Sequence, residues 1–522
     1  MRGWRAAAAM LAAVSASGTV AAQTLTMGVQ SGFGIDPHFV FLGPNMAAAR
    51  HVFDTLVNRD ADSRWTPGLT LSWTAVSPTS WEFKLRDGVT FHDGTPFTAE
   101  DVVFSFQRIP SIPGNPGPYT PNLRGISRTE VVDATTLRIH TNEPNPVLPG
   151  QLTNVFIVSR RAAEGAAPSD FNAGRAAIGT GPYRLEVHRG LEGMTVARSD
   201  SYWGERQPWQ RVNIRVIGND AARTAALLAG DVDVIEEVGT ADVERLERSG
   251  RVTVFRKPSD RVIFLLPHVG AERLALFTDA EGRPLDHNPF RDLRVRQALS
   301  LAVNRAALVE RAMDGQAVAT GQLVPEGFGG WHPAIPVPPY DPDRARRLLA
   351  EAGYPSGFGF TLACSNNRYV NDARVCQALG QMFTRAGFRA AVETQPSSVF
   401  FARTAVGRND VPLVFFGQSS SSTRDATHVL SLAMHSQQVA RGFGQSNRGA
   451  FNDPGLDRLI QAVAFGMENR EEAMRAAMRE AMRLHAGIPL YNQMVITAAR
   501  RGIRYTPRLD EQMVAIHARP AQ

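Results

Sequence analysis

Lysine is nearly absent from this chain: Lys84 and Lys257 stand alone, and arginine supplies the rest of its 56 basic residues. The arginines are spread evenly and interleaved with acids, as in Glu244, Arg245, Glu247 and Arg248. A pI of about 9.7 therefore does not describe the one-sided basic patch of a nucleic-acid binder. Cysteine is equally scarce, and two residues cannot build a disulfide scaffold. Beyond the N-terminus no run approaches the roughly 20 apolar residues of a membrane-spanning helix. Catalytic signatures are missing as well: there is no G-x-S-x-G elbow, P-loop, H-E-x-x-H or C-x-x-C. Gly32 and Gly34 lack the third glycine and the helix of a dinucleotide site, and His92-Asp93 has no third partner and reads as a turn.

What is present is a chain of 522 residues, 43% hydrophobic and 20% charged, enough for two to four packed domains. Its 45 glycines and 33 prolines exclude a long helical rod. Arg2 and Arg5, the apolar run Ala6–Val14 and the small residues Val20-Ala21-Ala22 form a secretory signal over residues 1–22, with cleavage expected before Gln23. No cysteine near that point offers a lipid anchor. The mature chain, with 54 basic against 50 acidic residues, is expected in the periplasm. In an oxidising compartment Cys364 and Cys376, twelve apart, are expected to form a disulfide rather than a metal or nucleophile site.

Strands and helices alternate throughout, which defines an α/β class. Strands are expected over residues 24–30, 81–86, 136–141, 193–198, 211–217, 360–363, 390–394 and 412–416. Helices are expected over 46–58, 98–108, 221–230, 293–313, 372–386 and 468–485. The clearest boundary opens at Asp341-Pro342 and closes at Gly353, with a capping acid, proline in the first turn and glycine past the end.

Several separated motifs then occur in one order: Ile35-Asp36-Pro37-His38-Phe39, Val52-Phe53-Asp54-Thr55-Leu56-Val57, the long run from Trp81 to Ser105 containing Phe91-His92-Asp93-Gly94-Thr95-Pro96-Phe97, Gly179-Thr180-Gly181-Pro182-Tyr183, Tyr202-Trp203-Gly204, Val295-Arg296-Gln297-Ala298-Leu299 and Leu348-Leu349-Ala350-Glu351-Ala352-Gly353-Tyr354-Pro355. Together they resemble the family-5 extracellular solute-binding proteins of ABC transporters, the dipeptide- and oligopeptide-binding group, over nearly the whole mature chain. The resemblance implies a two-lobed periplasmic-binding-protein fold of the class II, cluster C type, with a hinge and an extra inserted domain. Domain I would comprise residues 23–54, 178–262 and 488–522, domain II residues 55–177, and domain III residues 263–487. Function would be capture of a small molecule or short peptide between the lobes and delivery to an inner-membrane permease with its ATPase. A monomer without cofactor or resident metal is expected, and neither catalysis nor nucleic acid enters.

The resemblance also implies site residues. Aligned on Asp425-Ala426 and Leu430, Ser419 and Ser422 fall where peptide binders carry the Trp and the amine-pairing acid, and Asp425 would substitute if the loop is shifted. Serine cannot neutralise an ammonium, so a free peptide amine is disfavoured. Arg368 and Tyr369 fall where dipeptide binders hold the ligand carboxylate, with Asn366 beside them in the disulfide loop. Phe33, His38 and Asn45 of the first loop are further candidates. Two alternatives stay open: a nickel- or haem-type chelate receptor using His428 or His435, and a periplasmic sensor that feeds no transporter.

Overall fold

The computed structural model describes residues 24–521, so the leader expected over residues 1–22 lies outside the described residues. Its main sheet is shared by two lobes. In the first lobe Thr24–Val29 runs parallel to Arg211–Val216 and to Val234–Ile235, and Gly193–Arg198 and Tyr183–His188 extend it antiparallel. Leu25, Met27, Val52, Phe53, Phe171, Tyr183 and Val212 form the core beneath it. The C-terminal segment closes that core through Trp209 Nε1, which donates to the Ala518 carbonyl at 2.8 Å.

A separate four-stranded sheet, in the order Thr70–Ser77, Ser80–Leu85, Thr136–Thr141 and Ile126–Asp133, packs with helix Ala99–Ser111 around Phe83, Val102 and Ile139. The helix starts where Asp101 accepts from the Thr98 backbone at 2.9 Å and hydroxyl at 3.0 Å, a local signal that needs no tertiary help. In the second lobe Gly359–Ser365 runs parallel to Arg389–Gln395 and Leu413–Gln418, covered by helices such as Asp372–Arg385 and Leu293–Ala302. The Asp341 carboxylate caps helix Pro342–Glu351 at Arg344 N, 2.8 Å, and Gly353 beyond it has φ 96°.

Two long strands, Val252–Pro267 and Ile488–Arg500, pair antiparallel and pass from one lobe into the other. Residues 252–258 lie against 494–500, while 262–267 pair with Leu413–Gln418 on one side and 262–265 with 488–492 on the other. Between them the ladder jumps: Pro258 faces Met494 and Val262 faces Asn492, so Ser259, Asp260 and Arg261 bulge out opposite Gln493 alone. The interruption falls where the strand leaves one lobe for the other.

Two helices are shorter than their periodicity predicts. The first occupies Gly43–Val52 rather than 46–58, because the carbonyls that would continue it are taken by other chain segments. Val52 accepts from Gly181 N at 3.0 Å and Asp54 from Ile157 N at 2.9 Å, and Val57–Arg59 joins a strand pair. The predicted helix 293–313 ends at Ala302: Val303 is extended and the Asn304 side chain caps a new turn at Ala307 N, 2.9 Å. Cys364 and Cys376 form the expected disulfide, joining strand Gly359–Ser365 to helix Asp372–Arg385.

Candidate ligand-binding cleft

A cavity of about 1220 Å³ lies between the lobes. The lobes touch on both sides of it. At the outer mouth Arg441 meets Glu143 at 3.2 Å. On the hinge side Trp65 Nε1 donates to the Ser422 carbonyl at 2.9 Å, Arg59 Nη1 to Ser421 Oγ at 2.9 Å, and Arg424 Nε to the Asp62 carbonyl at 3.1 Å. The lobes are thus in contact around the cavity.

The floor is built at the strand bulge. Arg261 grips Glu511 at two points, Nε at 3.1 Å from both oxygens and Nη2 at 2.7 Å from Oε2. Ser259 Oγ and Gln493 Nε2 donate to the same carboxylate at 2.7 and 2.6 Å. Burial pulls the Glu511 carboxyl upward, but Arg261 outweighs it and keeps the group below its usual range. Against the same pull, Arg508 at 2.7 Å and Arg59 at 3.4 Å hold Asp510 well below the carboxylate range. Asp260 differs. It accepts from Ser419 Oγ at 2.5 Å through one oxygen, leaves the other without a partner among the described residues, and is pushed up to about 7 by burial and then by Glu511. On the first-lobe side Glu236 accepts from Gln30 N at 2.8 Å, while Glu237 lines the cavity at φ 48°, with no partner for its carboxylate among the described residues. Burial, then Glu236 and Glu511, push Glu237 up to about 8.

The second-lobe wall carries Arg368 and Tyr369. Asp372 shapes their loop by accepting from Ser365 Oγ at 2.7 Å, Arg368 N at 3.0 Å and Tyr369 N at 3.2 Å. The Tyr369 hydroxyl accepts from Gly417 N at 3.0 Å, and its ring lies 5.3 Å from the Arg368 guanidinium and 6.0 Å from that of Arg261. Arg368 has no carboxylate partner among the described residues, and the neighbouring Arg261 lowers its affinity for its proton. Such a guanidinium gains most from an incoming anion.

A model of the bacterial extracellular solute-binding proteins, family 5, matches residues 64–440, well over half of the chain. The chain belongs to that family. Its relatives include heme-binding protein A of Haemophilus influenzae, 27% identical over 489 residues (87% of this chain and 84% of that protein). The glutathione-binding protein GsiB of Escherichia coli is 27% identical over 435 residues (81% and 80%). Among solved structures, the periplasmic binding protein DppA of Helicobacter pylori in complex with the peptide STSA superposes with a TM-score of 0.78 at 20% identity, covering 96% of this chain and 98% of that one. That likeness establishes the two-lobed fold. Family 5 proteins serve ABC importers, and the relatives named here are binding proteins.

Of the residues singled out from sequence, Arg368, Tyr369, Ser419, Ser422 and Asn45 line the cavity of this family 5 chain. Asn366 does not; Asn367 stands there, while the Asn366 backbone donates to the Gln395 carbonyl. Asp425 is turned away, paired with Arg470 at 3.0 Å and capping Thr427 N at 2.9 Å. Phe33 belongs to the first-lobe core. His38 is fully buried beside the Arg108–Asp36 pair, with Nε2 2.8 Å from the Phe156 carbonyl, and burial drives it down to about 4. His428 lines the cavity, and burial lowers it to about 4; His435 is buried behind the wall, stacked on Phe443 at 4.2 Å. The two histidines are therefore not brought together on the cavity wall, and among the described residues no group of three or more His, Cys, Asp or Glu is placed to hold a metal.

The floor residues Arg59, Arg261, Asp510 and Glu511 escaped sequence reasoning because the fold gathers them from three segments 200 or more residues apart. The only local trace was Pro258-Ser259-Asp260, a strand-breaking step inside an otherwise β-rich run.

Proposed function

We propose that this chain is the periplasmic receptor of an ABC importer, a monomer that captures a peptide or peptide-like, carboxylate-bearing solute between its lobes and passes it to the inner-membrane permease and ATPase. The observation that carries the reading is Arg368. It stands on the wall of the interlobe cavity, beside Tyr369, with no carboxylate within ion-pair distance among the described residues. The cavity has room for a solute of several residues or of comparable bulk. Ser419 and Ser422 on its wall offer hydroxyls rather than the acid that pairs a peptide amine, so the α-amine is not the anchoring group at that loop. The relatives' printed ligands, heme, glutathione and a peptide, all carry carboxylates, which agrees with an arginine anchor.

Mass spectrometry of solute co-purified from the periplasm, followed by isothermal titration of the purified solute and of a dipeptide panel, tests the reading. A carboxylate-bearing solute whose affinity falls in Arg368→Ala supports it. Tight binding of ordinary dipeptides that vanishes when the α-amine is blocked would sink the amine-independent form.

A further inference from the structure

The second-lobe wall carries another arginine without an acid. Arg448 lines the cavity, and its guanidinium lies 5.2 Å from the Phe401 ring and 5.0 Å from the Phe416 ring. Nη1 is fastened to Thr404, donating to its carbonyl at 2.5 Å and to its hydroxyl at 2.8 Å. Nε is buried and has no partner, and no carboxylate pairs with the group among the described residues. Phe443 and Phe465 line the same cavity, edge to face at 5.8 Å. The arginine above them, Arg441, lies 5.7 Å from each ring but is already matched by Glu143. Phe416 and Phe443 belong to the second-lobe core, and Phe401 and Phe465 pack against it, so the rings are held from behind while they border the cavity.

These features suit one chemistry. A planar guanidinium stacked on rings is pre-organised to receive an anion through charge-assisted hydrogen bonds. Rings bordering a cavity gain most from a flat apolar partner. A neutral apolar ligand would leave Arg448 desolvated and unpaired, and a small hydrated anion would leave the rings wet. We propose that Arg448, with Phe401 and Phe416, forms a second subsite that takes a flat apolar body bearing an anionic group. The inference rests on the receptor reading and names the chemistry of another part of the same ligand.

Isothermal titration with three probes tests it: naphthalene-2-carboxylate, its neutral methyl ester, and octanoate, a flexible acid. Naphthalene-2-carboxylate is expected to bind wild type at least ten-fold more tightly than either comparator. Arg448→Gln should erase its advantage over the ester. Because Arg448 also fastens Thr404, Phe401→Ala, at a half-buried ring, is the second variant, and it should erase the advantage over octanoate. Equal binding of the three probes, binding of none, or an unchanged preference in both variants overturns the subsite. If the loss follows Arg368→Ala instead of Arg448→Gln, the carboxylate anchor of the receptor reading stands and the subsite falls. If both new variants act and Arg368→Ala does not, the subsite stands, and the Arg368 anchor is decided by the affinity of the co-purified solute for Arg368→Ala.

Discussion

Arg441 of the second lobe and Glu143 of the first, both bordering the cavity, meet 3.2 Å apart. Both side chains are about half exposed, so the pair contributes about 0–1 kcal/mol and that little is screened by salt. If the proposed capture between lobes involves opening and closing, the pair is expected to act on that balance more than on folding. Glu143→Ala is expected to raise the radius of gyration of the ligand-free protein in solution scattering while leaving the melting temperature almost unchanged. A large fall in melting temperature would show that the pair is structural.

Removing Arg368 should be costly because it takes away a charge-assisted bond that no neighbour replaces. Arg368→Ala is expected to weaken binding of the co-purified solute by more than about 1.5 kcal/mol, or ten-fold and above, in isothermal titration. Arg368→Lys should recover only part of this, since ammonium cannot reproduce a two-point clamp. An unchanged affinity removes Arg368 from the site.

The disulfide closes a short loop whose polar residues reach the cavity through Asn367, Arg368 and Tyr369. Replacing both cysteines by alanine is expected to lower stability by about 3 kcal/mol in urea unfolding, chiefly by freeing the unfolded chain. Binding should weaken less than in Arg368→Ala, because Asp372 still fastens the loop through three hydrogen bonds.

Asp260 predicts a pH dependence. Its folded-state value, pushed up to about 7 by burial and by Glu511, stands above that of an unfolded aspartate near 3.8. The folded state therefore binds this proton more tightly, and the contribution, full below about pH 4, is lost as the pH rises through about 7. Asp260→Asn mimics the protonated form. Its stability should match wild type near pH 4 and exceed it by about 2–4 kcal/mol above pH 8, read from urea midpoints across that range. Parallel curves would assign the slope to other groups.

Local signals in the sequence carried much of the fold. The Thr98–Asp101 cap, the Asp341-Pro342 start and the alternating strand at Trp81 each depend on residues within a few positions of one another. The first overlong helix failed for the opposite reason, since Val52 and Asp54 are claimed by Gly181 and Ile157, more than 100 residues away, whereas the second is broken locally by the Asn304 cap. The cleft divides likewise. Arg368 and Tyr369 sit in one short loop and were legible there. Asp425 looked like a ligand acid because nothing nearby in sequence announces Arg470, which holds it. Arg448 and Phe401 gave no signal at all, since their meaning depends on each other and on Phe416.

The bulge at Ser259–Arg261 gives the molecule a mechanical economy with a drawback. A place where the pairing of the shared sheet is interrupted is also where Arg261 and, through Ser419, Asp260 border the cavity. Selectivity and closing motion are thus written into the same few atoms. If the proposed function holds, substitutions there that change which solute is accepted are expected to change the pairing between the lobes as well, while substitutions on the outer walls leave it untouched.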